Sequence, residues 1–220
     1  MVEERTGELT EVHDKLMRSE KLAVINNSTY YLRMKMVIGD AKVARHMEIL
    51  EREVFRSSGI IDGLLDFARS REPKINQARI DQIVDAVLER IKWPENVQLV
   101  RKDDGLPFID VDIEQIGRVF SNIINNALQS MPDGGALNIG ASIDDGFVSI
   151  KITDTGIGVS MKNIDKIFEP LFTTRSGVGG TGIGLAICKS IVDAHRGSIE
   201  VKSSEGKGTT FTIKFPLNQK

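Results

Sequence analysis

Residues 113–131 read IEQIGRVFSNIINNALQSM. Ile113, Ile116, Phe120, Ile123, Ile124, Ala127 and Met131 recur at the three- and four-residue spacing of a helix that buries one stripe. Asn122 and Asn126 stand one turn apart on the opposite face, with Asn125 beside them. Asparagine is a middling helix former, so three in one helix is an odd choice for a face that only meets solvent. Two readings stay open: a solvated face, or amide oxygens that approach a cation. Magnesium suits the second, because it takes hard oxygen ligands, keeps several waters and needs only one or two protein oxygens beside phosphate.

Downstream, Leu137 to Ile143 and Phe147 to Thr153 read as a β-hairpin across Asp144-Asp145-Gly146. The second strand alternates Val148, Ile150 and Ile152 against Phe147, Ser149 and Lys151, and Asp154 falls in phase with the apolar set. A carboxylate aimed at a core is costly unless something donates hydrogen bonds to it. An adenine exocyclic amine is one such donor. The other reading is that Asp154 caps the turn Asp154-Thr155-Gly156-Ile157-Gly158, as Asp-x-Gly sequences do. Gly156 and Gly158 permit close backbone approach or positive φ.

The third element is Ser176-Gly177-Val178-Gly179-Gly180-Thr181-Gly182-Ile183-Gly184-Leu185, followed by a helix expected from about Ile183 to Ala194. Such glycine density leaves backbone N–H groups free at a positive helix end, which suits a polyphosphate. No Gly-Lys-Ser/Thr follows, so it is not a P-loop, and no strand precedes it as in dinucleotide-binding loops. A flexible linker is the plain alternative.

Around these elements, Ile83 to Ile91 suggests a helix closed by Trp93-Pro94. Val97 to Lys102 and Pro107 to Asp112 read as short strands, and Ser198 to Lys202 with Thr210 to Phe215 close the chain in period-two alternation. Strands separated by helices, then paired strands, predict an α/β sandwich with helices on one face of a mixed sheet.

The first ~70 residues follow a different pattern, with no strand periodicity and few helix breakers. Leu9, Val12, Leu16, Ser19 and Ala23 recur in one heptad frame; Leu22, Ile25, Thr29, Leu32 and Met36 recur in another, so the phase slips between about Ser19 and Ile25. Gly39-Asp40 is the expected turn, and a second helix runs from about Ala41 to Ser70 with Met47, Leu50, Val54, Ser57, Ile61, Leu64 and Ala68 on one stripe. Two antiparallel helices cannot bury both stripes alone, and a dimeric four-helix bundle resolves that. A solitary hairpin resting on the other domain is the alternative. Pro73 ends the second helix. The expected domains are thus 1–72, a linker over 73–80, and 81–220.

Composition excludes several classes. The chain has 220 residues and a formal net charge of −2, with Lys and Arg scattered among acids, which argues against nucleic-acid or membrane-surface binding. Its single cysteine, Cys188, excludes an internal disulfide. The three histidines, His13, His46 and His195, share no metal-ligand spacing, which disfavours a zinc enzyme. No apolar run approaches the ~20 residues of a membrane helix, and no signal-peptide pattern is visible. The expected compartment is the cytoplasm, with any membrane-bound sensor part outside this chain.

In order, these motifs resemble the histidine-kinase branch of the Bergerat-fold ATPases over nearly all of Asp81 to Lys220. Phe120-Ser-Asn-Ile-Ile-Asn-Asn126-Ala is similar to the family's asparagine box, and Asp154-Thr-Gly-Ile-Gly158 to its first glycine box. Ile167-Phe-Glu-Pro-Leu-Phe-Thr-Thr174 resembles the phenylalanine box, and Gly180-Thr-Gly-Ile-Gly184-Leu the second glycine box. His195-Arg-Gly-Ser-Ile-Glu200 and Gly206-Lys-Gly-Thr-Thr-Phe211 resemble the closing hairpin. The resemblance implies an α+β chain that binds ATP with Mg2+. Its nucleotide-contacting set is Asn122, Asn125, Asn126, Asp154, Gly156, Gly158, Thr173, Thr174, Arg175, Gly180, Thr181, Gly182, Gly184 and Leu185. Asp154 takes the adenine amine and Asn126 ligates magnesium, with Asn122 close to metal or phosphate. Thr173, Thr174 and Arg175 belong to a mobile lid. Relatives that hydrolyse ATP with water carry a glutamate base where Asn122 stands. A neutral amide cannot deprotonate water, which favours transfer to a protein acceptor.

The hairpin resembles the dimerisation domain of the same kinases, which implies a homodimer and a response-regulator receiver domain as partners. One departure matters. The family's His-Glu/Asp-x-x-Asn/Thr-Pro phosphoacceptor motif is absent, and Ala23 runs directly into Val24 at the heptad slip. His13, followed by Asp14, and His46 are the remaining acceptor candidates; His195 ends a helix and reads as structural. Three functions follow: a kinase that phosphorylates histidine and supplies a response regulator; an ATP-binding dimer inactive in self-phosphorylation that acts as a regulatory module; and a serine kinase acting on another protein, against which the long hairpin counts.

Overall fold

The computed structural model describes residues 25, 27–30, 32, 41–68, 72–102, 106–174 and 180–217. Its chain divides into two compact units, one joining the N-terminal part to Leu171–Ile183, the other formed by Arg71–Pro170 with Gly184–Lys220. The heptads of residues 9–23 and the Gly39-Asp40 turn lie outside the described residues.

In the first unit, residues 25, 27–30 and 32 are helical, and α1 runs from Ala41 to Ala68. Val54 is buried, whereas Leu50 on the same expected stripe stays 49% exposed. Gly59 sits inside this helix where glycine costs about 1 kcal/mol against alanine. A Cβ there would lie 3.2 Å from Cγ2 of Thr181, so the second glycine-rich segment passes close to α1 at this point.

The second unit begins with a strand where a linker was expected. Residues 76–79 form β1 (Asn76–Arg79), paired antiparallel with β3 (Phe108–Val111) in a separate two-stranded sheet. Its sequence, Asn-Gln-Ala-Arg, carries no strand pattern, so the pairing partner decides the conformation. Helix α2 spans Ile80–Leu88, earlier than the expected 83–91. Its first turn is set by Asp81, which pairs with Arg79 and accepts from the Gln82 N–H at 3.1 Å. The Arg79 guanidinium holds the Asp81 carboxyl below its usual range.

Helix α3 (Ile113–Gln129) starts at Asp112, whose Oδ1 accepts from the N–H groups of Glu114 and Gln115, both at 3.0 Å. Ile116, Phe120, Ile123 and Ile124 are fully buried. They face a five-stranded sheet in the order β2-β4-β5-β7-β6, made of β2 (Val97–Lys102), β4 (Gly135–Asp144), β5 (Phe147–Asp154), β6 (Ser198–Ser204) and β7 (Gly208–Pro216). Only β2 and β4 run parallel; the other pairs are antiparallel. Asp145 and Gly146, with φ of 47° and 78°, make the β4–β5 turn a tight one that follows the strand twist. Register sets Leu137 beside Asp154, Ile139 beside Ile152 and Ile152 beside Phe211, so the sheet's inner face is apolar up to Asp154. A short α4 (Met161–Ile164) and then α5 (Gly184–Ala194) complete the unit, with α3 touching both α2 and α5. The expected α/β sandwich on a mixed sheet is what forms.

Candidate nucleotide site

Asp154 ends β5 at 3% exposure. Three donors converge on its Oδ1: Ser130 Oγ at 3.0 Å, the Gly156 N–H at 2.9 Å and the Thr209 N–H at 3.3 Å. Among the described residues no donor is aimed at Oδ2. The turn-capping reading and the ligand reading of Asp154 are therefore compatible: one oxygen caps the turn and the other is left for an outside donor. A buried carboxylate oxygen without a donor is costly, and an exocyclic amine has the chemistry to satisfy it.

The loop after Asp154 is fastened along its length. The Ile157 N–H donates to Ser130 O at 3.0 Å, Gly206 N–H to Ile157 O at 2.7 Å, and Val159 N–H to Ser203 Oγ at 2.8 Å. Gly156 lies flush on Ser130, where a Cβ would come within 2.1 Å of Oγ. Gly158 adopts φ 69°, and a Cβ there would lie 2.1 Å from Ser204 O. No larger residue fits either position without moving backbone.

On α3, Asn122 is half-buried and its Nδ2 donates to Gly184 O at 3.5 Å, at the start of α5. The same amide stands beside Cys188, whose thiol is wholly buried and pushed up from 9.0 to about 12 by that burial. Asn126 is half-buried one turn later, while Asn125 is exposed and donates to Ser121 Oγ at 3.3 Å. Asn122 and Asn126 thus share one face with two neutral amide oxygens, a donor set that fits a hard cation carrying phosphate ligands. Gly184 and Leu185, both half-buried, open the eleven-residue helix α5.

The remaining expected contacts belong to the first unit. Gly182 has φ 70°, and a Cβ there would meet the Leu171 carbonyl carbon at 2.5 Å. Leu171 itself holds φ 68°, a conformation side chains rarely adopt. Gly180, Thr181 and Thr173 are half-buried and Thr174 exposed, while Arg175 lies outside the described residues. His46 is exposed on α1, and His13 lies outside the described residues. His195 is completely buried.

Sequence reasoning passed over Ser130, Ser203 and Thr209. Ser130 stands just past the asparagine helix, and Ser203 and Thr209 lie in the hydroxyl-rich closing hairpin, where nothing local marks one hydroxyl residue over its neighbours. The one available signal was that Asp154, pointing inward, needed donors that the motif itself does not supply.

Residues 111–219 match the histidine kinase-, DNA gyrase B-, and HSP90-like ATPase family. The chain is 31% identical over 175 residues to the sensor histidine kinase ZraS of Escherichia coli (strain K12), which covers 78% of this chain and 37% of that protein. It spans well under half the length of such curated relatives. Full-length ShkA in complex with AMPPNP has the same fold, with a TM-score of 0.73 at 22% identity over 95% of this chain and 46% of that one. ThkA in complex with the response regulator protein TrrA aligns with a TM-score of 0.68 at 22% identity, over 98% of this chain and 64% of that one. No helix among the described residues is long and apolar enough to cross a membrane. Residues 111–219 belong to the histidine kinase-, gyrase B- and HSP90-like ATPases, and the chain carries the catalytic ATP-binding domain of a histidine kinase.

Proposed function

We propose that this chain binds magnesium ATP and transfers the γ-phosphate to a histidine, which then supplies a response-regulator receiver domain. The observation that carries the reading is the carboxylate of Asp154, buried with Oδ1 saturated and Oδ2 left to accept from an adenine amine. Gly156 and Gly158 let the loop approach the base closely, and the N–H groups at Gly184 and Leu185 stand at the positive end of α5 for phosphate. Asn126 and Asn122 would hold a magnesium ion through their amide oxygens, and that ion would neutralise charge on the phosphates. Asn122 offers no base for water, so the site favours a protein acceptor over hydrolysis.

The half-exposed Leu50 and the exposed Ile49 on α1 support a homodimer that pairs this helix with a second copy. ThkA's complex with TrrA supports a receiver domain as the next acceptor. The experiment is incubation with γ-labelled ATP and magnesium, alone and with an intact histidine kinase whose own nucleotide site is disabled. The account expects acid-labile, base-stable label on a histidine. If the label appears on the chain alone, His13→Gln and His46→Gln identify the acceptor. Acid-stable label, or release of free phosphate with no protein label in either arm, contradicts it.

A further inference from the structure

We infer that Ser130 is a positioning residue that sets the preference for adenine by acting through Asp154. The inference rests on the reading of Asp154 as the adenine contact and extends it to a residue outside the motifs.

Ser130 is the C-cap of α3 and is 5% exposed. Its Oγ lies 2.7 Å from Ala127 O and 3.0 Å from Asp154 Oδ1. A hydroxyl has one hydrogen, so only one of these acceptors receives it. Ala127 O already accepts from the Ser130 N–H at 3.0 Å. Asp154 Oδ1 belongs to a carboxylate and is the stronger acceptor of the two. Either choice leaves Oγ facing one oxygen without a hydrogen between them, and the contact is costlier against a carboxylate than against a neutral carbonyl that already has a donor. The hydroxyl hydrogen is therefore assigned to Asp154.

That bond has a geometric consequence. The Gly156 and Thr209 N–H groups reach Oδ1 from the turn and from β7, and Ser130 reaches it from α3. Three donors from three elements fix the carboxylate plane, and with it the direction of Oδ2. Ser130 also ties that plane to the helix bearing Asn122 and Asn126, because its carbonyl accepts from Ile157 N–H while its backbone ends the helix. One residue thereby sets the base contact relative to the asparagine end of the site.

The test compares the full chain's affinity for magnesium ATP and for purine riboside triphosphate, which lacks the exocyclic amine. Ser130→Ala is expected to weaken ATP about tenfold, the scale of one hydrogen bond to a charged group, and to change the amine-free nucleotide less than about twofold. The ratio of the two affinities then collapses toward one. In an Asp154→Asn background the same substitution is expected to leave the ratio unchanged, since the path through Asp154 is already broken. Melting midpoints of all variants exclude unfolding as the cause. Equal weakening of both nucleotides assigns Ser130 a structural role only and overturns the inference, as does an unchanged ratio. A wild-type chain that binds both nucleotides equally overturns the reading of Asp154 itself, and this inference with it.

Discussion

The backbone N–H of Asp112 donates to Nε2 of His195 at 3.0 Å, joining positions 83 residues apart. Because Nε2 accepts, the ring's hydrogen is on Nδ1, which donates to Ile191 O at 2.8 Å inside α5. The same Asp112 caps α3 and takes the Lys74 N–H on Oδ2 at 2.8 Å. The ring also meets Phe215 edge to face, with centroids 6.3 Å apart. One junction thus fixes the start of the asparagine helix, the end of α5 and the first residues after the helical part.

His195→Ala should lower unfolding free energy by about 3 kcal/mol, combining an orphaned buried N–H with a cavity. His195→Leu refills the volume but leaves the Asp112 N–H without its acceptor, so it should recover only part of the loss. Urea unfolding of the three proteins measures this. A leucine variant as stable as wild type would show that the bond contributes nothing.

Cys188 gives a pH signature. Burial raises its thiol from 9.0 to about 12, so the folded chain holds a proton that the unfolded chain releases. Stability from this group is intact below pH 9.0 and is lost as pH rises toward about 12. In that window the slope is about 1.4 kcal/mol per pH unit. Other groups also titrate there, so the expected result is a difference: Cys188→Ala is less stable at pH 8 but loses stability less steeply above pH 9. Parallel curves for the two proteins contradict it. Native Cys188 should also resist thiol reagents at pH 8.

The close approach of Gly59 to Thr181 yields a coupling. Gly59→Ala gains helix propensity worth about 1 kcal/mol, but its methyl presses on Cγ2 of Thr181. Thr181→Ser removes that methyl. The stabilisation by Gly59→Ala, read from thermal melting, should therefore be larger in the Thr181→Ser background. Additive effects of the two substitutions would place Thr181 out of reach of α1.

Gly158→Ala should be poorly tolerated, since it needs φ 69° and drives a Cβ to 2.1 Å from Ser204 O. The cost is expected at about 2 kcal/mol or more, with ATP affinity falling beside stability. Gly146→Ala, whose Cβ meets nothing within 4 Å, isolates the φ term alone. Equal losses for the two would remove the steric part of the argument.

Much of this was legible in the residues, and the illegible parts share a cause. The α3 stripe and the β4–β5 alternation are local periodicities, and both elements form within a few residues of where the pattern placed them. Asp154 was legible as an inward carboxylate because its phase follows from Ile150 and Ile152. Strand β1 was not, because Asn-Gln-Ala-Arg becomes a strand only against Phe108 to Val111. The parallel β2–β4 pair depends on a crossover that no local pattern encodes. Ser130 and Thr209 were missed for the same reason: a hydroxyl or a backbone N–H acquires its role from a partner dozens of residues away.

The central claim is that Asp154 makes this chain an ATP-binding domain. Calorimetric titration of the full chain with magnesium ATP tests it most directly, comparing wild type with Asp154→Asn, which keeps an acceptor for the three donors at Oδ1 and puts a donor where Oδ2 stood. The account predicts saturable one-site binding to wild type and a loss of at least about tenfold in the variant, with the melting midpoint of the protein otherwise close to wild type. Equal ATP affinity in the two proteins, or no binding by a folded wild-type chain, would contradict it.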